Sequence, residues 1–187
     1  MATSPGTEHV VLVDSDGVPE GLAPKATVHT TQTPLHLAFS AYLVAPDGRI
    51  LITRRSLSKQ TWPGVWTNSL CGHPGPDESS ESAIVRRARQ ELCFSATMLG
   101  DIVPIAPDFR YEAVDASGIR ENEICPVYRV ELLCEPQDLP EPAADEVADT
   151  AWVTFKQLRT AAEAVPNLVS PWCGQQIAHP GVRAALG

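Results

Sequence analysis

The chain has 187 residues, 43% hydrophobic and 20% charged, with a formal net charge of −9. That length fits one domain and suffices to bury a core. The negative charge argues against nucleic acid as a partner, and no run approaches the roughly 20 apolar residues of a membrane span. The five cysteines (71, 93, 125, 134 and 173) are odd in number without CxxC spacing, so neither a disulfide framework nor a zinc ribbon is expected. MATSPGTEHV lacks the basic and apolar regions of a signal peptide, and a cytoplasmic protein is expected.

Residues 1–7 read as a disordered lead to a single domain covering 1–187. HVVLVD (9–14) reads as a strand, and Asp16-Gly17 as a hairpin turn. A looser segment after Lys25 carries His29 and His36. LHLAFSAYLV (35–44) is largely apolar and reads as one buried strand; after the Pro46-Asp47-Gly48 turn, RILITRR (49–55) alternates and reads as its hairpin partner. Residues 56–70 read as a loop with Trp62 and Trp66. Gly and Pro around Cys71 and His73 then lead into a helix at about 79–92. Ser79 or Ser80 caps it, Asp77, Glu78 and Glu81 suit its N-terminal dipole, and Ile84, Ala88 and Leu92 form its buried stripe. Arg87 and Glu91, four apart, share another face.

DFRYEAV (108–114) and ENEICPVYRVELL (121–133) read as a strand pair, with Glu121 and Glu123 two apart and therefore on one sheet face. A Pro-rich acidic loop (136–149), a strand at 150–155, a helix starting near Thr154 and a helix starting at Ser170-Pro171 complete the chain. Hairpins first, a central helix and helices at the end indicate an α+β fold with a mixed sheet.

Several groups bear on chemistry. Half of the Lys and Arg residues lie between Arg49 and Arg89, which in an acidic chain points to a local anionic ligand. His29, His36, His73, Glu121 and Glu123 form a candidate metal site whose five ligands favour octahedral over closed tetrahedral coordination. His9 and His179 are expected to have no such role. Cys71, beside His73 and before a helix, lies where a thiol pKa can be lowered. Cys93, Cys134 and Cys173 read as buried structural thiols.

The spacing of Gly72, Glu78 and Arg86 resembles the first half of a Nudix box. The second half departs from it, with Arg87 after Arg86 and Gln90 before Glu91, so only one of the carboxylates that crowd metal ions in a hydrolase remains. More specifically, HTTQTPLHLAFS (29–40), RRSLSKQTWPGVWTNSLCGHP (54–74), RRARQEL (86–92), PDFRY (107–111), ENEICPV (121–127) and SPW (170–172) resemble type 1 isopentenyl diphosphate isomerases from about residue 8 to 175. The resemblance implies a Nudix-like α/β/α fold with a mixed β-sheet flanked by helices, and interconversion of isopentenyl and dimethylallyl diphosphate in isoprenoid biosynthesis. It further implies Cys71 and Glu123 as the acid and base, with Tyr111 supporting the glutamate. His29, His36, His73, Glu121 and Glu123 would hold one divalent metal, Mn2+, Mg2+ or Zn2+. Glu91, with the Cys71 carbonyl, would hold a Mg2+ that bridges to the diphosphate. Lys25, Arg55, Lys59 and Arg87 would grip the diphosphate, and Trp172 would sit beside the allyl group.

Physical chemistry fits these roles. Moving a double bond adds a proton at one carbon and removes one at another, so two acid/base groups must flank the substrate. The carbocation between the steps requires a dry pocket, and Trp172 or Trp66 offers an aromatic face to it. The alternatives are a Nudix hydrolase of a nucleoside or prenyl diphosphate and a non-catalytic diphosphate-binding module. The altered box, Cys71 and the ENE run count against the first, and the intact acid/base and ligand sets against the second. A small-molecule prenyl diphosphate is the expected partner, with no nucleic acid or membrane; a monomer is expected and a dimer left open. Cys93, where a helix more usually ends in glycine, is expected to alter local geometry only.

Overall fold

The structure is a computed structural model that describes residues 8–187; the lead at 1–7 lies outside the described residues. Strand β1 (His9–Val13) turns at Gly17, whose φ of 82° suits a residue without Cβ, and pairs antiparallel with β2 (Pro19–Pro24). The segment after Lys25 is a single helical turn, α1 (Lys25–Val28), rather than loose chain.

The apolar run 35–44 is two strands, not one. β3 (His36–Leu37) and β4 (Phe39–Val44) are separated at Ala38 and belong to different sheets. The run 121–133 breaks likewise at Cys125-Pro126, between β10 (Arg120–Ile124) and β11 (Val127–Leu132). The breaks coincide because the runs travel side by side: β3 pairs parallel with β10, and β4 parallel with β11. A proline cannot donate to a ladder, and Pro126 marks where the two chains leave one sheet for the other.

The first sheet has the order β2-β1-β3-β10-β9, with β9 spanning Arg110–Val114. The second has the order β12-β5-β4-β11-β8. Here β5 is Ile50–Arg55, β8 is Leu99–Ala106 and β12 is Val147–Val153. Strand β8 lies where no strand was expected. The expected hairpin of 35–44 with 49–55 survives only at Val44 opposite Ile50. Between them are wedged β6 (Trp66–Thr67), paired with β5, and β7 (Leu70–Gly72), paired with β4. The expected loop at 56–70 therefore ends as sheet. Its buried polar residues explain why: Ser69 Oγ donates to Leu51 O (2.5 Å) and accepts from Leu43 N (2.7 Å), bridging the splayed strands.

Helices cover both faces of β4. Tyr42 and Val44 face a core that includes Phe155 and Leu158 of α3 (Phe155–Ala164) and Trp172 and Ile177 of α4 (Pro171–Ala178). Phe39, Ala41 and Leu43 face Ile84, Ala88 and Leu92 of the α2 region (α2, Ser80–Glu91). Burial on both faces is why this strand reads as unbroken apolar sequence. Each large side chain fully buried there contributes about 1.5–3 kcal/mol.

The caps are as the sequence implies. Ser79 accepts from Ser82 N, Thr154 forms a capping box with Gln157, and Ser170 accepts from Cys173 N. A last helix, α5 (Pro180–Leu186), follows a break at His179. Beyond α2, Cys93 adopts φ 58°, the left-handed conformation glycine tolerates best. Cys93 is exposed and Cys134 half-buried, so of the three thiols read as buried only Cys173 is. No described helix is long and apolar enough to cross a membrane.

Candidate active site

Where the paired runs cross between sheets, they bring the acidic and imidazole groups together. Glu123 lies opposite His36 across the β3–β10 pairing and opposite Tyr111 across β9–β10. His29 follows α1 and His73 follows β7. Ligand atoms of His29, His36, His73 and Glu123 lie within 4.8 Å of one another. Glu121 stands just outside that group, its Oε2 3.2 Å from His29 Nε2, and accepts from Thr61 Oγ1 at 3.0 Å.

The cluster has the features of a divalent-metal site. His36 is fully buried, and its Nδ1 lies 2.9 Å from Pro34 O; donation there leaves Nε2 with its lone pair toward the cluster. His29 Nε2, His36 Nε2 and His73 Nδ1 are buried without a hydrogen-bond partner. Buried polar atoms are ordinarily satisfied, so orphaned imidazole nitrogens beside a carboxylate fit a bound cation.

These groups border a cavity of about 550 Å³. Every residue expected from the sequence lines it except His36, which lies beneath: Lys25, His29, Arg55, Lys59, Cys71, His73, Arg87, Glu91, Tyr111, Glu121, Glu123 and Trp172. Trp66, weighed beside Trp172, packs into the core instead. His9 is exposed on β1, and His179 caps α5; neither joins the cluster.

Arg87 is held by Glu91 Oε1 at 2.8 Å (Nε) and 2.5 Å (Nη2), and by Glu146 at 3.3 Å. Glu146 also pairs with Lys59, and Glu8 with Lys25 at 2.7 Å. Arg55 donates twice to Thr61 O and lies 5.4 Å from the Trp172 ring. Arg86 and Glu78, the matching part of the Nudix box, form a clamp outside the cavity, with Arg86 also donating to His73 O at 3.0 Å. A Cβ on Gly72 would lie 2.8 Å from Arg87 Cγ and 3.0 Å from Phe39 Cζ, so glycine lets β7 and α2 approach closely.

The electrostatics correct one expectation. The Cys71 thiol is not lowered: burial pushes it up to about 12, against the Ser40 hydroxyl that pulls it down. It lies on β7 and meets Ser40 Oγ (3.2 Å) and Asn68 Oδ1 (3.1 Å), rather than His73. His73 turns to Glu123 Oε1 at 3.0 Å. Burial alone would raise Glu123, but the His36 imidazole facing it at 3.5 Å and its contact with His73 hold it well below the usual carboxylate range. Glu121 is raised by burial, and burial pushes His73 down to about 4.

Sequence reasoning missed Glu146, Asn68, Ser40 and Gln176. Glu146 sits among several acidic neighbours that never reach the cavity, so nothing local singles it out. Asn68 lay inside the TNSLCGHP run without a role. Ser40, a small hydroxyl in a mostly apolar stretch, was a usable signal.

The two sheets between helices define the class: residues 34–173 match the NUDIX domain family, and the chain is a member of it. A Deinococcus radiodurans structure superposes with a TM-score of 0.68 at 19% identity, covering 91% of this chain and 98% of its own. A MutT protein from Methanosarcina mazei gives 0.60 at 18% identity, covering 82% and 97%. At such identities the likeness concerns the fold. Within the class, the chain is 50% identical over 187 residues to a Kocuria rhizophila protein named isopentenyl-diphosphate Delta-isomerase, with both chains covered completely. A Corynebacterium glutamicum protein of the same name is 52% identical over 179 residues, 96% of this chain and 94% of its own. The chain belongs to the isopentenyl-diphosphate Delta-isomerase family.

Proposed function

We propose that this chain, acting as one domain, interconverts isopentenyl diphosphate and dimethylallyl diphosphate. The observation that carries the proposal is that a thiol (Cys71) and a carboxylate (Glu123) line one cavity with four cations and an indole. Such a pair exchanges protons with carbon at two positions, as transposing a double bond demands. Cys71 and Glu123 are the acid/base groups, and Tyr111, register neighbour of Glu123, supports its carboxylate. Trp172, buried and 5.7 Å from the Tyr111 ring, presents an aromatic face to the carbocation and helps exclude water that would capture it.

Lys25, Arg55, Lys59 and Arg87 hold the diphosphate, each Arg as a planar donor suited to phosphate oxygens. His29, His36, His73, Glu121 and Glu123 would hold a divalent metal, Mn2+, Mg2+ or Zn2+, whose positive charge would favour the ionised form of the carboxylates that bind it. Glu91, an oxygen donor suited to a hard cation, would hold Mg2+ accompanying the diphosphate. The reduction of the Nudix-box carboxylates to Glu91 alone fits a reaction in which no P–O bond is cut. All five cysteines are free, which suits a reducing compartment, and we assign the activity to the cytoplasm.

The test is incubation with isopentenyl diphosphate and Mg2+ in deuterated water, with NMR of products and a phosphate assay. Deuterated dimethylallyl diphosphate without phosphate release is expected. Phosphate release without a double-bond shift would make the chain a hydrolase. No reaction with the metal content verified would make it a binding module.

A further inference from the structure

We infer that Ser40 is a positioning residue for Cys71: a buried hydrogen-bond chain, Tyr42 to Gln176 to Ser40, ends at the Cys71 sulfur and supplies it with a donor once its proton has passed to substrate. The inference rests on the acid/base reading of Cys71 above.

Each link has a defined direction. Tyr42 OH donates to Gln176 Oε1 at 3.0 Å, which orients that amide so that its Nε2 donates to Ser40 Oγ at 2.8 Å. With its oxygen accepting, Ser40 has its own proton free for one of two sulfurs, Cys71 Sγ at 3.2 Å or Cys125 Sγ at 3.4 Å. Tyr42, Gln176 and Ser40 are all fully buried, so water does not compete. Ser40 and Cys71 are directly opposed in the β4–β7 pairing, which fixes their approach.

Asn68 completes the arrangement from the other side. Its Nδ2 donates to Ala41 O (3.1 Å) and Leu70 O (2.7 Å), so its Oδ1 must face Cys71 Sγ, 3.1 Å away, and can only accept. The same oxygen accepts from Trp172 Nε1 at 3.1 Å, tying the indole to the thiol. While Cys71 carries its proton, that proton is directed at Asn68 and the Ser40 hydroxyl serves Cys125. When the proton moves to a substrate carbon, the Ser40 hydroxyl turns about one bond and donates to the sulfur anion. Ser40 keeps its own proton throughout, and no further group gains or loses one. An anion in so closed a site without a donor would be strongly disfavoured.

The measurement is steady-state kinetics of Ser40→Ala, Ser40→Thr and Cys71→Ala beside thermal melting. Ser40→Ala is expected to lower kcat about ten- to hundredfold, the range of a hydrogen bond to a charged group, with KM within about twofold. Ser40→Thr, which restores the hydroxyl, is expected to recover most of the loss. A purely structural role would lower the melting temperature and leave kcat alone. Ser40→Ala retaining kcat within about twofold, or Ser40→Thr no better than Ser40→Ala, overturns the inference. If Ser40→Ala does not fold, Gln176→Leu, which removes the donor orienting Ser40, decides by the same kcat criterion. An inactive Cys71→Ala beside a fully active Ser40→Ala sinks this inference alone, whereas an active Cys71→Ala sinks the acid/base reading itself.

Discussion

In the histidine cluster, His29 Nε2, His36 Nε2 and His73 Nδ1 are buried without partners, whereas in the cationic cluster Arg87 and Lys59 are already paired with Glu91 and Glu146. Both line or underlie one cavity, yet they stand in opposite relation to a ligand. A cation entering the first cluster satisfies atoms that folding left open, so binding adds stability directly. A diphosphate entering the second must draw Arg87 and Lys59 away from carboxylates that already neutralise them. Binding at the first gives unpaired nitrogens a partner, binding at the second exchanges partners, and an accompanying Mg2+ would occupy the carboxylates so released.

The largest expected effects lie between the two clusters. Cys71→Ala and Glu123→Gln should each lower turnover about 10²–10⁴-fold in a protein that still melts cooperatively. A Cys71→Ala variant keeping more than about a tenth of the activity would break the acid/base assignment. Next comes the cationic cluster. Arg87 is only 6% exposed, and Arg87→Ala leaves two carboxylates without their guanidinium. Breaking such a pair costs about 3–5 kcal/mol, or a fall in Tm on the order of 10 °C. Lys59→Ala, at a more exposed site, should raise KM about tenfold with Tm nearly unchanged. Equal melting temperatures for the two variants would show that the pairing does not matter to the fold.

The histidine cluster should respond to metal in a way the cationic cluster does not. Adding Mn2+ or Zn2+ to chelated protein at about 100 times its Kd should stabilise it by about 2.7 kcal/mol, and His36→Ala should abolish the increment. Without metal, burial keeps His73 neutral down to about 4, whereas an ordinary imidazole protonates near 6.5. The unfolded chain therefore binds that proton first as the pH falls. The stability His73 contributes is intact above about pH 6.5 and lost between there and about 4. His36 opposes this: burial would lower it, but the Glu123 carboxylate facing it wins and raises it, favouring the folded state below 6.5. A Tm profile of chelated protein over this range, flattened by His73→Asn, checks the sign. The smallest effect lies outside both clusters. Cys93→Gly relieves a left-handed side chain and should raise stability by about 0.5–1 kcal/mol with kcat unchanged.

Much of this was legible in the sequence. The α2 helix, its serine cap (Ser79 of the two candidates) and its Ile84–Ala88–Leu92 stripe follow from local spacing, because helix periodicity and capping are properties of neighbouring residues. The His and Glu groups, the cations and Cys71 were expected from the family resemblance, and nearly all line the cavity. What only tertiary structure decided are matters of long-range pairing. Periodicity did not reveal that 35–44 and 121–133 break together, because each run remains apolar across its break and the change of sheet is made jointly. The Cys71 thiol was misjudged for the same reason. Its chain neighbour His73 turns to Glu123, 50 residues away, while the groups that surround the sulfur come from β4 and the buried Asn68. Glu146 joins Arg87 and Lys59 only because β12 pairs with β5 and carries the end of the acidic loop to the cavity wall. The sequence by itself determined which chemical groups were present and which helices would form. The fold decided which groups meet and in what protonation state, because burial and contact depend on residues distant in the chain.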